Sequence, residues 1–175
     1  MLRRLFQVIH ALTAKMESAD HQLVAAFLNA QEQALYYAMD TNSQKHGVKV
    51  AQTCLKLAHS PTSIDSILLV KAALLHDIGK EQGDLTTFYR IAFVITDKLF
   101  PSLGQAIVTH SQLLFLRKIQ HAFFVLYAHP ELGSQKAEHA GLEQGLIKLI
   151  ANHHTSYVSG EPIELTILRQ ADNLN

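Results

Sequence analysis

Apolar residues recur at helical spacing along almost the whole chain. Nearly every segment repeats them with a period of about 3.6 residues, and no alternation of polar and apolar residues lasts long enough to predict a β-strand. We therefore predict an all-α protein. With 175 residues and 48% hydrophobic composition, the chain is long enough for a single helical bundle to bury most of its apolar surface.

Capping residues and helix breakers divide the chain into about eight predicted helices. The predicted starts lie at Ser18, at Asn29 with Glu32 in the following turn, at Asp40 or Thr41, and at Ser60-Pro61, Asp84, Ser111 and Glu161-Pro162. Breaks are predicted at Gly79 to Gly83, Pro101 to Gly104, Pro130, Gly141 and Ser156 to Gly160. We expect residues 1–40 to form an N-terminal helical extension packed on the core, and residues 41–175 to form the main helical domain.

Charge and cysteine content exclude several classes of partner. The 15 basic residues balance the 15 acidic ones, so no overall field attracts nucleic acid or an anionic membrane. The first apolar residues keep helical spacing, unlike those of a signal peptide, and the longest unbroken apolar run, residues 122–128, is far shorter than the roughly 20 residues of a membrane span. The single cysteine, Cys54, permits no internal disulfide. We expect a cytoplasmic protein with no membrane or nucleic-acid partner.

The chain is rich in histidine, with 11 in total, and imidazole is a common metal ligand. Five apolar stripes that we expect to face the core end or begin in a side chain able to bind a metal, namely His46, the His76-Asp77 pair, His129, His153 and Asp172. A single histidine on an apolar stripe is more often an ordinary core residue. Here that explanation is needed repeatedly and would bury Asp77 and Asp172 without a cation, which is unfavourable. We therefore predict a metal centre.

The residues around the His-Asp pair form a specific motif. The string His76-Asp77-Ile78-Gly79-Lys80 follows a strongly apolar helix, with His46 upstream and Asp172 near the end of the chain. In these features residues 42–175 resemble the HD-domain superfamily of metal-dependent phosphohydrolases, which is named after an adjacent His-Asp pair. His129 and the pair His153-His154 are similar to the further histidines of the subgroup that binds two metals. The resemblance implies an HD-type metal-binding helical domain over residues 41–175.

The resemblance also implies two divalent transition-metal ions. One ion would be bound by His46, His76, Asp77 and Asp172, and the other by Asp77 as a bridging ligand together with His129 and His153. His154 stays open between a metal ligand, a substrate contact and a solvent-exposed residue, because it lies about 100° around the helix from His153. Nitrogen and oxygen donors favour iron or manganese in our interpretation, and they also allow nickel, cobalt, zinc or magnesium.

The chemistry of such a centre suits a phosphorylated substrate. Two divalent ions, two aspartates and a metal-bridging hydroxide leave about one positive charge to attract phosphate, and the hydroxide would attack phosphorus in line. Lys80 matches a basic position beside the metals in the resembled family, where it would contact substrate and stabilise the transition state. Asp77 and Lys80 are therefore the predicted catalytic residues, and Lys80 and His154 the predicted substrate contacts.

The substrate is defined less closely than the reaction. The Gly-Tyr-Pro segment of the cyclic di-GMP phosphodiesterase branch is absent after His153-His154. Three elements, His129 to Gly133, His154-Thr155 and Ala171-Asp172, are similar to HD-type diadenosine tetraphosphate hydrolases. The resemblance thus implies a phosphomonoesterase or phosphodiesterase acting on a nucleotide, a dinucleoside polyphosphate or a small phosphate ester.

Two other functions stay open at this point. Some HD-fold enzymes use a similar ligand set for dioxygen chemistry, so a dinuclear-iron oxygenase is one alternative. A regulatory or binding module on an HD scaffold is the other. The N-terminal extension either caps the bundle or offers a surface to a partner or a homodimer. Its predicted apolar faces carry Leu5, Ile9, Leu23, Phe27, Leu35 and Tyr36.

Overall fold

The computed structural model describes residues 15–58, 64–110 and 117–175. Within these ranges the protein contains nine α-helices and no β-strand, which confirms the predicted all-α fold. An isolated antiparallel bridge joins Met39 and Glu81. In chain order the helices are α1 (Ser18–Phe27), α2 (Ala30–Ala38), α3 (Thr41–Leu57), α4 (Ser66–Leu75), α5 (Thr87–Leu99), α6 (Pro101–His110), α7 (Arg117–His139), α8 (Gln144–Asn152) and α9 (Ile163–Leu174).

Local capping explains where several helices begin. The predicted start at Asn29 is confirmed, because its side chain accepts a hydrogen bond from the Glu32 N–H while the Glu32 carboxylate accepts one from the Asn29 N–H. Asp40 caps α3 in a similar way. The predicted start at Asp84 is wrong: its carboxylate accepts a hydrogen bond within the preceding turn, and Thr86 caps α5 instead. The predicted starts at Ser60-Pro61 and Ser111 lie outside the described residues.

Helix α4 is the centre of the bundle and packs against α1, α2, α3, α8 and α9. From Leu69 to Leu75 every residue except Lys71 is buried, and the Lys71 ammonium pairs with the Glu32 carboxylate of α2 at 2.7 Å. A helix that is apolar on all faces must be surrounded by other elements. Its C-terminal end therefore carries the His76-Asp77 pair into the middle of the protein. Neighbouring helices supply the rest of the core, which includes Val48, Val50, Ala51, Leu146, Leu149, Ile150, Leu165, Leu168 and Ala171.

The described part of the N-terminal extension, residues 15–40, packs on this bundle. Val24, Leu28 and Tyr36 belong to the hydrophobic core, and the Asp20 carboxylate pairs with the Lys45 ammonium of α3. The predicted apolar positions Leu23, Phe27 and Leu35 are partly buried against the core, whereas Leu5 and Ile9 lie outside the described residues.

Helices α5 and α6 pack on each other and on α7, away from α4. None of the helices in the described ranges combines the length and the apolar character needed to cross a membrane.

Helix α7 corrects one expectation, because it continues through Pro130, which we predicted would end it. A proline inside a helix lacks the N–H that would bond to the carbonyl four residues earlier, and here that carbonyl belongs to Leu126. The Leu126 carbonyl accepts a side-chain hydrogen bond instead, so the helix does not have to stop. It ends at His139, before Gly141, whose φ of +66° favours glycine.

Candidate metal centre

Five helices deliver the predicted ligands to one place. His46 lies within α3 and His129 within α7. His76-Asp77 and His153-His154 directly follow the last residues of α4 and α8, and Asp172 lies in the last turn of α9. Their ligand atoms form three overlapping groups, each with all of its atoms within 4.8 Å of one another. The first group is His46, His76 and Asp172, and the second group is His129, His153 and His154. A third group, His76, Asp77 and His153, lies between them and shares a residue with each.

The first group surrounds the Asp172 carboxylate. The Nε2 atom of His46 lies 2.9 Å from Asp172 Oδ1, and the Nε2 atom of His76 lies 3.7 Å from the same oxygen. The ring centroids of the two histidines are 5.2 Å apart. This side of the cluster therefore presents two imidazole nitrogens and a carboxylate toward a common point.

The second group surrounds His129, and Asp77 lies between the two groups. The Nε2 atom of His129 lies 3.3 Å from that of His153 and 3.1 Å from that of His154. One oxygen of Asp77, Oδ1, lies 3.4 Å from His129 Nε2 and 3.6 Å from His76 Nε2. Asp77 thus lies between His76 of the first group and His129 of the second.

His153 and His154 differ in solvent exposure, but both side chains extend to His129. His153 is buried, whereas His154 is exposed at the surface of the cluster. Both Nε2 atoms nevertheless face His129. The structure therefore places both histidines at the second group, including the one whose role the sequence left open.

Backbone carbonyls fix the protonation of three of these histidines. The Nδ1 atoms of His76, His129 and His153 lie 2.9, 2.9 and 2.7 Å from the carbonyl oxygens of the residues three positions earlier. A carbonyl can only accept, so each Nδ1 carries the hydrogen and donates it. Each neutral ring then has an unprotonated Nε2 whose lone pair points into the cluster, which is the orientation and tautomer of a metal-binding histidine.

Helix ends explain why carbonyls are free to accept at two of these positions. The last four carbonyls of a helix have no donor within the helix. Ala73 lies in the last turn of α4 and Ile150 in the last turn of α8, and their carbonyls accept from His76 and His153. Placing a ligand directly after a helix thus satisfies an open carbonyl and orients the imidazole at the same time.

This donor set fits divalent metal ions. Because Nδ1 carries the hydrogen in both rings, the Nε2 lone pairs of His129 and His153 face each other at 3.3 Å with no hydrogen between them. The Nε2 lone pair of His76 likewise faces carboxylate oxygens at 3.6 and 3.7 Å. Acceptors that face acceptors repel, and a cation bound by them replaces that repulsion with attraction.

A family comparison agrees with this geometry. The family model described as the HD domain matches residues 44–175. The chain belongs to the HD-domain family. Comparisons with curated proteins and with solved structures gave no significant match. Membership indicates divalent-metal binding and metal-dependent hydrolase activity in general, and all the ligand groups described above lie within the matched residues.

The HD-domain centre holds its carboxylates ionised. Burial by itself would raise the pKa of Asp77, but the Lys80 ammonium beside it opposes this effect and holds that pKa well below the usual range. Burial opposes ionisation of Asp172 too, yet the hydrogen bond from His46 lowers its pKa below the usual range. Both aspartates are therefore charged ligands at any pH near neutrality.

The buried histidines are held neutral. Burial lowers the pKa of His153 to about 3, and nearby imidazoles add to the effect. Burial and the Lys80 ammonium lower the pKa of His129 well below its usual value. A neutral imidazole is the form that binds metal, so the protein environment itself prepares these ligands.

These shifts predict that the metal-free protein loses stability in mild acid. A group whose pKa is lower in the folded state binds fewer protons than in the unfolded chain, so folding becomes less favourable as the pH falls below the unfolded value, 6.5 for histidine. We expect a loss of about 1.4 kcal/mol per buried histidine for each pH unit below that value. Guanidinium unfolding between pH 7.5 and 5.5 measures it. In His153→Gln, the free energy of unfolding should depend less steeply on pH, by the contribution of one buried histidine. An unchanged pH dependence would contradict the conclusion that His153 is held neutral by burial.

Lys80 lies against the shared carboxylate. Its ammonium donates a hydrogen bond to Asp77 Oδ1 at 2.6 Å, and its side chain is mostly buried. The predicted position beside the centre therefore corresponds to a direct ion pair.

Sequence reasoning missed the structural role of Gly79. A Cβ atom at this position would lie 2.1 Å from the His129 carbonyl oxygen, so only glycine lets the turn after His76-Asp77 approach the backbone of α7. The glycine of the His-Asp-Ile-Gly-Lys string was the available signal, and we interpreted it only as a helix break. It sets the distance between the two sides of the centre.

Sequence reasoning also missed Arg169, one turn before Asp172 on α9. Its guanidinium donates hydrogen bonds to Thr155 Oγ1 at 2.8 Å and to the Asn152 carbonyl at 3.4 Å, and it pairs with Glu161 at 2.6 Å. Asn152 and Thr155 flank the His153-His154 pair. Arg169 therefore ties this turn to the helix that carries Asp172, through contacts between residues that are distant in sequence.

Proposed function

We propose that this HD domain is a phosphohydrolase that binds two divalent transition-metal ions and acts on a nucleotide, a dinucleoside polyphosphate or a small phosphate ester. The observation that carries the proposal is the position of Asp77, whose Oδ1 lies between His76 of the first group and His129 of the second while it also accepts a hydrogen bond from Lys80. A shared carboxylate with a lysine beside it suits two metals and an anionic substrate.

We divide the candidate ligands between two ions that share Asp77. We assign His46, His76, Asp77 and Asp172 to the first ion, and Asp77, His129 and His153 to the second, with His154 as a further candidate. When bound, such ions activate water as a nucleophile and withdraw charge from phosphoryl oxygens. The protein's own contribution is to keep the histidines neutral, to hold the aspartates ionised and to fix every ligand on a packed helix or helix end.

The donor types narrow the choice of metal. Cys54 lies in the core close to Asp172, and burial together with that carboxylate raises the pKa of its thiol to about 12. It therefore stays a thiol and belongs to none of the ligand groups of the described residues. Imidazole and carboxylate without thiolate suit iron or manganese, our choice, and are compatible with nickel, cobalt, zinc or magnesium.

Lys80 supplies the positive charge of the proposed mechanism from the protein itself. Its ammonium is near enough to Asp77 to remain beside the metals and has hydrogen atoms left to donate to a phosphoryl oxygen. His154, exposed at the edge of the cluster, lies where a substrate arrives from solvent. Charge that develops on the equatorial oxygens would be stabilised mainly by Lys80 and the metals.

We expect Lys80→Ala to lower turnover of a phosphate ester about 10²-fold while the metal content stays the same. The reason is that Lys80 contributes charge to the transition state and is not itself a ligand. Steady-state kinetics and metal analysis on the same preparation check both parts, and Lys118→Ala, at an exposed position at the start of α7, is the matched control. Full activity in the Lys80 variant would show that the lysine serves only to compensate Asp77.

Anaerobic assays of the manganese-reconstituted protein test the proposed reaction. The substrates are a panel of nucleotides, dinucleoside polyphosphates and simple phosphate esters, and we expect release of phosphate or a nucleotide. Hydrolysis needs no change in metal valence, whereas an oxygenase on the same ligands needs iron and O₂. If no substrate in the panel is hydrolysed and the iron form takes up O₂ in a substrate-dependent way, the protein is a dinuclear-iron oxygenase and the phosphohydrolase proposal is wrong. The absence of both hydrolysis and O₂ uptake would favour a binding module without catalytic activity.

A further inference from the structure

Pro130 stands at an unusual place, in the interior of α7 directly after the ligand His129. Proline is the least favourable residue in a helix interior, since it has no N–H to bond to the carbonyl four residues earlier. That carbonyl belongs to Leu126. It accepts instead from His129 Nδ1 at 2.9 Å.

The same hydrogen bond arises differently at the other two histidines. His76 and His153 follow the ends of their helices, where carbonyls lack donors without any proline. His129 lies far from either end of α7, in a stretch where each carbonyl normally receives a backbone N–H. A proline at position 130 leaves the Leu126 carbonyl without its backbone donor in the middle of the helix.

We propose that Pro130 is a positioning residue for the metal centre. By leaving the Leu126 carbonyl open, it holds His129 in the tautomer with hydrogen on Nδ1 and directs the Nε2 lone pair toward Asp77 and His153. This role depends on the proposed metal centre and not on the hydrolytic reaction. The competing explanation is that a proline bend only makes room for Gly79, which packs against the His129 carbonyl.

Pro130→Ala separates the two explanations. The new N–H at position 130 would compete for the Leu126 carbonyl, so we expect part of the His129 population to move its hydrogen to Nε2. Long-range ¹H–¹⁵N spectra of metal-free, ¹⁵N-histidine-labelled protein report the tautomer, and His129→Gln assigns the signal. The wild-type protein should show hydrogen on Nδ1, and the variant a mixture of tautomers.

Metal binding and melting complete the test. Because a hydrogen bond that orients a ligand typically changes metal affinity 10- to 100-fold, we expect Co²⁺ to bind Pro130→Ala about 10-fold more weakly at the second group. The melting temperature of the metal-free variant should rise at the same time, since alanine is a better helix former. Pro101→Ala, at the start of α6, should change neither the tautomer nor Co²⁺ affinity.

Two results would overturn the inference. One is a wild-type His129 with its hydrogen on Nε2. The other is a Pro130 variant that keeps the wild-type tautomer and binds Co²⁺ with unchanged affinity, which would leave Pro130 as a bend for Gly79 alone. Neither readout depends on turnover, so a failure of the phosphohydrolase assays would not affect them.

Discussion

Asp77→Asn is expected to remove both metal ions together and to lower phosphate-ester hydrolysis by at least about 10³-fold. The substitution preserves the shape of the side chain but removes the charge that both groups share. Asp77 Oδ1 has the Lys80 ammonium at 2.6 Å and imidazole nitrogens at 3.4 and 3.6 Å. Neither ion keeps a full ligand set without it. Equilibrium dialysis against Mn²⁺, with hydrolysis measured in parallel, checks both effects.

Asp84→Asn is the control for this variant. Asp84 lies in the same connection between α4 and α5 but pairs with His121 at 2.8 Å, apart from the ligand groups. It should bind metal and hydrolyse substrate as the wild type does. If Asp77→Asn retained one ion at wild-type affinity, Asp77 would be a ligand of a single metal and the bridging assignment would fail.

Removing residues 161–175 should abolish folding and metal binding together. The deletion takes away α9, whose Leu165, Ile167 and Leu168 are buried in the core. Losing one such side chain costs about 2–5 kcal/mol, so losing three exceeds much of the roughly 5–15 kcal/mol that stabilises a typical domain. Circular dichroism and metal analysis measure the outcome.

Asp172→Asn distinguishes the loss of the candidate ligand from the loss of the fold, because it removes only the carboxylate charge. It leaves α9 in place, so we expect a cooperatively folded protein that binds the metal of the first group much more weakly. A truncated chain that still melts cooperatively and binds two ions would mean that neither α9 nor Asp172 belongs to the centre.

Helical periodicity and capping were enough to predict the fold class and several helix starts. They worked where the decisive contacts are local, as in the reciprocal hydrogen bonds between Asn29 and Glu32. They failed at Pro130, because the energy of a proline in a helix depends on what happens to the Leu126 carbonyl, and the partner of that carbonyl is a side chain. Local helix propensity contains no information about a side chain that replaces the missing backbone donor.

The candidate site was more predictable than the details that support it. The candidate ligands could be predicted because each lies at the end of an apolar stripe and a buried carboxylate needs a cation. The Arg169 contacts to the turn around His153, and the Lys45 pair with Asp20, join residues that no spacing rule relates. Likewise, the sequence could not decide between His153 and His154, because both reach His129 from one turn that lies beyond the end of a helix.

Metal analysis of protein purified without chelator tests the central claim most directly. We predict two divalent metal ions per chain, because the ligand atoms of His129, His153 and His154 form a second group beside that of His46, His76 and Asp172. His129→Ala and His153→Ala should each reduce the content toward one. A wild-type content of one ion, unchanged in both variants, would contradict the two-metal centre.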